Sequence, residues 1–254
     1  MNNSKVKVQL NSLTRFGFLA ISILTGVGIF IGMPQDAIAR SDREQTYEKY
    51  QERISEADRI IQRNPRNAKA YNKRGEAYAK LGRHKRAISD YNRAIEIDPQ
   101  FARAYNNRGF AYSKQGRYWQ AVIEHTKAIQ LDRRYAKAYW GRGLAYAKNG
   151  KYQLAISDYT RSIRFDRKNI RVYNNRGNSY AKLGQYQEAI SDYNKAIEFD
   201  RNYAWAYNNR GLAYQKIGNN RRAIADLRKA ANLFQKQEKM KEYQKTVRLI
   251  ERLQ

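Results

Sequence analysis

Histidine is the side chain best suited to acid–base or metal chemistry near neutral pH. This 254-residue chain has two, His84 and His125, and no cysteine. Two histidines without a thiol cannot build a Cys/His metal cluster, a thiolate nucleophile or a disulfide framework. Both also stand where aromatic residues stand elsewhere in the chain. His84 shares the register of Tyr118, Tyr152 and Tyr186, and His125 that of Tyr91, Tyr159 and Tyr193. Those are packing positions. No serine sits in a nucleophile elbow. The acids Asp90, Glu124, Asp158, Asp192 and Asp226 recur at a step of 34, as do Arg74, Arg108, Arg142, Arg176 and Arg210. Such matched sets read as guanidinium–carboxylate pairs between packed helices, because arginine lays its stem on apolar surface while its fork grips a carboxylate. The pattern assigns no catalytic residue, metal ligand or cofactor, and the chain is expected not to be an enzyme.

A second group of residues suits binding rather than reaction. Asn106, Asn107, Asn174, Asn175, Asn178, Asn208 and Asn209 offer amides that both donate to and accept from a peptide backbone. Lys69, Arg103, Lys137 and Arg171 favour carboxylates or phosphates. Trp140 and Trp205 are candidate aromatic anchors. Where three sibling segments read Asn-Asn, the middle one reads Trp140-Gly141. That exchange puts an indole in the binding face and, beside it, a glycine that would let a ligand approach. The plainer alternative is that Asn and Lys are soluble residues on a wall and that Trp140 packs on the next helix.

The elements that carry these residues follow from the period. Gly75, Gly109, Gly143, Gly177 and Gly211 are spaced by 34, and so are Gly82, Gly116, Gly150, Gly184 and Gly218. A fixed step of this size means a stacked array. Five units result, 68–101, 102–135, 136–169, 170–203 and 204–237. In the first, Tyr71, Arg74, Gly75 and Tyr78 share one helical face, and Gly82 ends that helix. Ala87, Ile88, Tyr91, Ala94 and Ile95 stripe a second helix, expected over about Lys85–Ile97 and stopped before Pro99. The binding residues fall on the first helix of each unit, opposite its Tyr–Gly–Tyr stripe.

Aromatic-x3-Gly-x2-Tyr, then Gly, then Ala, aromatic and Ala at a 34-residue step resembles the tetratricopeptide repeat. Tyr replaces the usual Trp, Arg the usual Leu, and of the repeat-end prolines only Pro99 is kept among the five units. The resemblance implies an all-α fold, an α-solenoid of helix–turn–helix repeats winding as a right-handed superhelix. It also implies that the binding residues line a concave groove for extended peptides, with Asn107, Asn175 and Asn209 where some members carry an asparagine ladder. The chaperone-carboxylate clamp of one family variant is not expected, because only Asn107 and Lys137 match it. Residues 40–67, in which Ile54 and Ile61 align with Ile88 and Ile95, and residues 238–254, with Tyr243, Val247 and Ile250 on one side, are expected to be capping segments.

The first 39 residues read as an export signal. Lys5, Lys7 and Arg15 precede an uncharged run, Phe16 to Met33, then Pro34 and Ala37-Ile38-Ala39, with cleavage expected between Ala39 and Arg40. The alternative is an uncleaved anchor over residues 16–33. The repeat style is similar to that of cyanobacterial tetratricopeptide proteins, which makes the periplasm or the thylakoid lumen the expected compartment. With 50 Lys+Arg against 23 Asp+Glu, the formal net charge is +27. The expected partner is therefore another protein or peptide, acidic in character; export argues against nucleic acid. The alternative is a basic solenoid bound to an anionic polymer or a membrane or envelope surface.

Overall fold

The computed structural model describes residues 35–254, with side chains from Glu44 onward. The chain divides into two units, 1–43 and 44–254. The expected leader or anchor lies outside the described residues, except for the opening turns of the first helix. Ala39 and Arg40 fall there, where the backbone alone is described. The described residues form twelve helices and no strand. None of these helices is long and apolar enough to cross a membrane.

Helix α1 (Gln35–Arg63) leads into five helix pairs: α2 (Ala68–Lys80) with α3 (His84–Ile97), α4 (Ala102–Lys114) with α5 (Tyr118–Leu131), and α6 (Ala136–Lys148) with α7 (Tyr152–Phe165). Then come α8 (Ile170–Lys182) with α9 (Tyr186–Phe199), α10 (Ala204–Lys216) with α11 (Asn220–Lys236), and a closing helix, α12 (Met240–Glu251). The turn inside each pair is set by a glycine with positive φ, +73° at Gly82 and near that at its four equivalents. A side chain there would strain the backbone. The second helix of the first pair stops at Ile97, ahead of Pro99, and α5, α7 and α9 stop at the same register although Arg133, Arg167 and Arg201 replace the proline.

Close packing within a pair rests on the other glycine series. A Cβ added to Gly75 would stand 2.6 Å from the Tyr91 ring, and one added to Gly143 2.7 Å from the Tyr159 ring. Buried alanines at Ala87, Ala121, Ala155, Ala189 and Ala223 bring the helices together from the other side. Within unit 44–254 the first helices of successive pairs touch one another (α2 with α4, α4 with α6, α6 with α8, α8 with α10), while the second helices stand further apart. The stack therefore curves with its first helices inside.

Each ladder arginine does more than the sequence pattern implied. Arg142 grips Asp158 bidentately, Nε to Oδ2 and Nη2 to Oδ1, both at 2.8 Å. Its Nη1 donates to Thr126 Oγ1, sixteen residues earlier on the preceding pair. The same fork joins Arg74 to Asp90 and Asp58, Arg108 to Glu124 and Asn92, Arg176 to Asp192 and Thr160, and Arg210 to Asp226 and Asn194. One guanidinium thus closes a pair and fastens it to its predecessor. Burial raises the carboxyl pKa of Asp90, Glu124 and Asp192, while the guanidinium hydrogen bonds pull it back down.

At the C-terminal end, α12 packs Ile250, Tyr243 and Val247 onto α11. Its outer face is Lys241, Gln244, Lys245, Arg248 and Arg252, all exposed, which is the polar covering a terminal unit needs.

Candidate functional site

The inner face of the first helices opens into a cavity of about 770 Å3 running from α1 to α8. Phe110 and Trp140 form its apolar floor, with ring centroids 5.6 Å apart. Arg53, Lys73, Lys80, Lys114, Lys137 and Arg171 stand around it, against two acids, Glu56 and Glu76. Glu76 is already engaged, accepting from Asn72 at 2.9 Å and from Asn107 at 2.7 Å. The Lys137 ammonium sits 5.9 Å from the Phe110 ring. Six cations over an aromatic floor outnumber the two acids, and the net positive charge attracts carboxylates.

The structure redistributes the expected binding residues. Asn107, Lys137, Trp140 and Arg171 line the cavity. Lys69 and Arg103 are exposed but lie off it. Asn106 and Asn174 are buried, at 0% and 5% exposure, and cannot face a ligand. Asn174 stitches two repeats together, whereas Asn106 meets His125 within its own pair. Asn107 donates to Asn72 Oδ1 across one repeat boundary, and Asn209 to Asn174 Oδ1 across another, each at 3.0 Å. Asn208 accepts from Thr246 of the closing helix at 3.2 Å. Asn178 accepts from the Tyr193 hydroxyl. Most of the asparagine ladder is therefore satisfied within the protein, because amides one repeat apart come within hydrogen-bond distance of each other.

The ladder breaks on both sides of Trp140-Gly141. No amide at position 141 reaches Asn106, and Trp140 offers none to Asn175. Among the described residues the Asn175 side chain makes no hydrogen bond, so it is the free amide of the series. Gly141 also has a different purpose from the one its sequence suggests. It is buried, and a Cβ there would lie 2.3 Å from His125 Cε1. Its missing side chain makes room for His125 and not for a ligand. Trp140 is half-buried: it packs against Ala155, Tyr159 and Val172 while its ring faces the cavity, and its indole N–H is buried without a partner. Trp205 lies off the cavity: 38% exposed, it meets Phe234 edge-on at 5.0 Å.

Three features of the cavity were not expected from the sequence: Phe110, the contribution of α1 through Tyr50 and Arg53, and the convergence of Lys80 and Lys114. Phe110 did carry a signal. Its register holds Glu76, Leu144, Asn178 and Leu212 in the other repeats, so Phe110, one repeat before Trp140, is the one aromatic of that series.

His125 is fully buried, with Nδ1 3.2 Å from Asn106 Oδ1. Protonated at Nδ1 it donates that bond, leaving its Nε2 and the Asn106 amide nitrogen buried without partners. Burial, with Arg142 as a further cause, lowers its pKa to about 3. The unfolded chain takes up this proton from pH ~6.5 downward, whereas the folded chain resists it. The stability His125 contributes is thus complete above pH ~6.5 and is lost as pH falls from there towards 3. Between pH 7 and 4.5, urea unfolding should show wild type losing about 2–3 kcal/mol more than His125→Tyr. Equal losses would mean that the imidazole is not held neutral.

Family models described as TPR repeat match residues 77–116, 113–150, 146–184 and 177–218. Models described as tetratricopeptide repeat match residues 56–89 and 206–237. No curated protein matches in sequence. Among solved structures, MamA is 27% identical with a TM-score of 0.59, covering 65% of this chain and 96% of its own. YrrB, described as a TPR protein with an unusual peptide-binding site, is 24% identical with a TM-score of 0.58, covering 70% and 91%. A tetratricopeptide repeat protein from Parabacteroides merdae is 22% identical with a TM-score of 0.61, covering 81% and 80%. The last two likenesses speak to the fold alone.

Proposed function

Since this chain belongs to the tetratricopeptide-repeat family, and so to a fold of protein–protein interaction scaffolds, we propose that it is an exported, non-catalytic member holding an acidic, extended segment of another protein. The segment lies in the N-terminal half of the groove, between α1 and α8. The observation that carries this reading is the ring of six cations around the Phe110–Trp140 floor, with Glu76 already engaged. Carboxylates of the segment meet Lys114, Lys137 and Arg171, an apolar side chain rests on the aromatic pair, and the Asn175 amide is free for its backbone. Export is supported by the uncharged run from Phe16 and by Ala37-Ile38-Ala39.

The test is fluorescence anisotropy with a labelled nonapeptide of Asp and Glu around a central Phe. Lys114→Glu with Lys137→Glu should weaken binding by about tenfold or more. Lys182→Glu, an exposed lysine outside the cavity, should change it less than about twofold. Charge reversal is a cleaner probe than Trp140→Ala, because Trp140 also packs in the core. Equal affinity for the cavity variants and wild type would refute the site.

A further inference from the structure

The outward side of the second helices carries a feature that the groove does not use. In α5 the outermost side chains are Trp119, Gln120, Ile123 and Lys127, and the same four registers are exposed in all five repeats. Trp119 and Ile123, one turn apart, are 55% and 65% exposed, the most open of the large apolar residues among those described, and Leu154 on α7 is 49% exposed. These residues are peculiar to their repeats. The Trp119 register holds Lys, Gln, Gln and Arg in the other four, and the Ile123 register holds Ser, Ser, Ser and Ala.

Charge surrounds them. On these registers Lys85, Arg86 and Arg93 lie on α3, Lys127 on α5 and Arg161 on α7, with four more cations on α9 and α11. The acid on them is Glu188, while Glu96 and Glu198 beside them pair with Arg93 and Lys195, and the remaining seven cations form no ion pair among the described residues. The ladder acids beneath, Asp90, Glu124 and Asp158, are turned inward and paired. The result is an exposed basic ridge with an apolar centre, on the opposite side from the groove.

We propose that this convex ridge docks on an anionic lipid bilayer, with Trp119, Ile123 and Leu154 entering the headgroup region and the flanking Lys and Arg meeting lipid phosphates. Tryptophan beside an aliphatic residue suits the membrane interface, where one end of the ring is apolar and the other wet. A row of cations spread over successive helices fits a continuous anionic surface better than a single partner's patch. A second copy of the chain is the poorer occupant, since it would set +27 against +27. Read as a retained anchor, the uncharged Phe16–Met33 run would itself hold the chain at a bilayer. Docked in this way, the solenoid turns its groove away from the lipid. The inference does not depend on what the groove binds.

The test uses the full chain carrying Trp140→Phe and Trp205→Phe, so that Trp119 is the remaining tryptophan and is excited selectively over the tyrosines. It is mixed with vesicles of phosphatidylcholine containing about 30% phosphatidylglycerol, with brominated or ordinary acyl chains. Bromine quenches an indole only at close range, so the signal reports the ridge even if residues 16–33 also insert. Trp119 emission should fall by about twofold or more in brominated anionic vesicles. It should be unchanged in brominated vesicles of phosphatidylcholine alone, and Ile123→Glu with Leu154→Glu should restore it. Both glutamates are placed at exposed sites, so folding is preserved and is checked by circular dichroism. Equal emission from brominated and ordinary anionic vesicles overturns the proposal, as does quenching that survives the two glutamates. A response of Trp119 to double-stranded DNA and not to vesicles would assign the ridge to nucleic acid instead.

Discussion

Replacing Arg142 with alanine is expected to destabilise the folded chain by about 3–5 kcal/mol. Asp158 is 4% exposed, and both of its carboxylate oxygens accept from this one guanidinium. Without it, a charged carboxylate stays in the interior with neither partner nor water. The change also frees Thr126, so the seam to the preceding pair loosens at the same time. Arg93→Ala is the matching control, because its pair with Glu96 is half-open to solvent at 50% and 61%. Exposed pairs are worth little, and a loss below about 1 kcal/mol is expected there. Urea titration of the far-UV ellipticity measures both. Similar losses for the two variants would mean that the ladder is no stronger than surface pairing.

Gly141→Asn should lower stability by about 1–3 kcal/mol, although it restores the residue that three sibling repeats carry. The new Cβ would meet the buried His125 ring at 2.3 to 2.8 Å, and neither side has room to move. Adding His125→Tyr should recover at least half of the loss. Tyr91 beside Asn107 shows that the sibling pairing fits, and the introduced amide could then reach the orphaned amide of Asn106. The double-mutant cycle separates this from simple crowding, since residues sharing one space couple strongly while independent ones add. If His125→Tyr leaves the Gly141→Asn loss unchanged, the two positions are not exchanging space, and the account of the third repeat fails.

The same pair of residues marks where sequence reasoning stops. Helices and turns are legible because their causes are local: Gly82 must take a positive φ, and Pro99 must follow a helix end. The Arg–carboxylate pairs are legible because both partners share one period. Their second attachment is not, since its acceptors are Asp58, Asn92, Thr126, Thr160 and Asn194. No residue type is shared by all five, so the eye passes over a register that distance makes obvious. The asparagines point to a ligand because amides suit peptides, yet Asn107 meets Asn72 first. Amides that face each other across a 35-residue separation cannot be recognised from composition. Gly141 reads as an opening in the groove, when its cause is a ring on the helix behind it. The cavity itself depends on how much the stack curves, which no single repeat encodes.

The arginine fork also bears on how such a molecule can be lengthened. Both of its attachments are fixed at sixteen residues, one before and one after. Any tandem duplication of 34 residues therefore carries its own donor and supplies acceptors for its neighbours, wherever the cut is made. Inserting a second copy of residues 170–203 should give a longer stack with every seam intact. A gene that grows by copying such a block acquires reach without having to find a new fold.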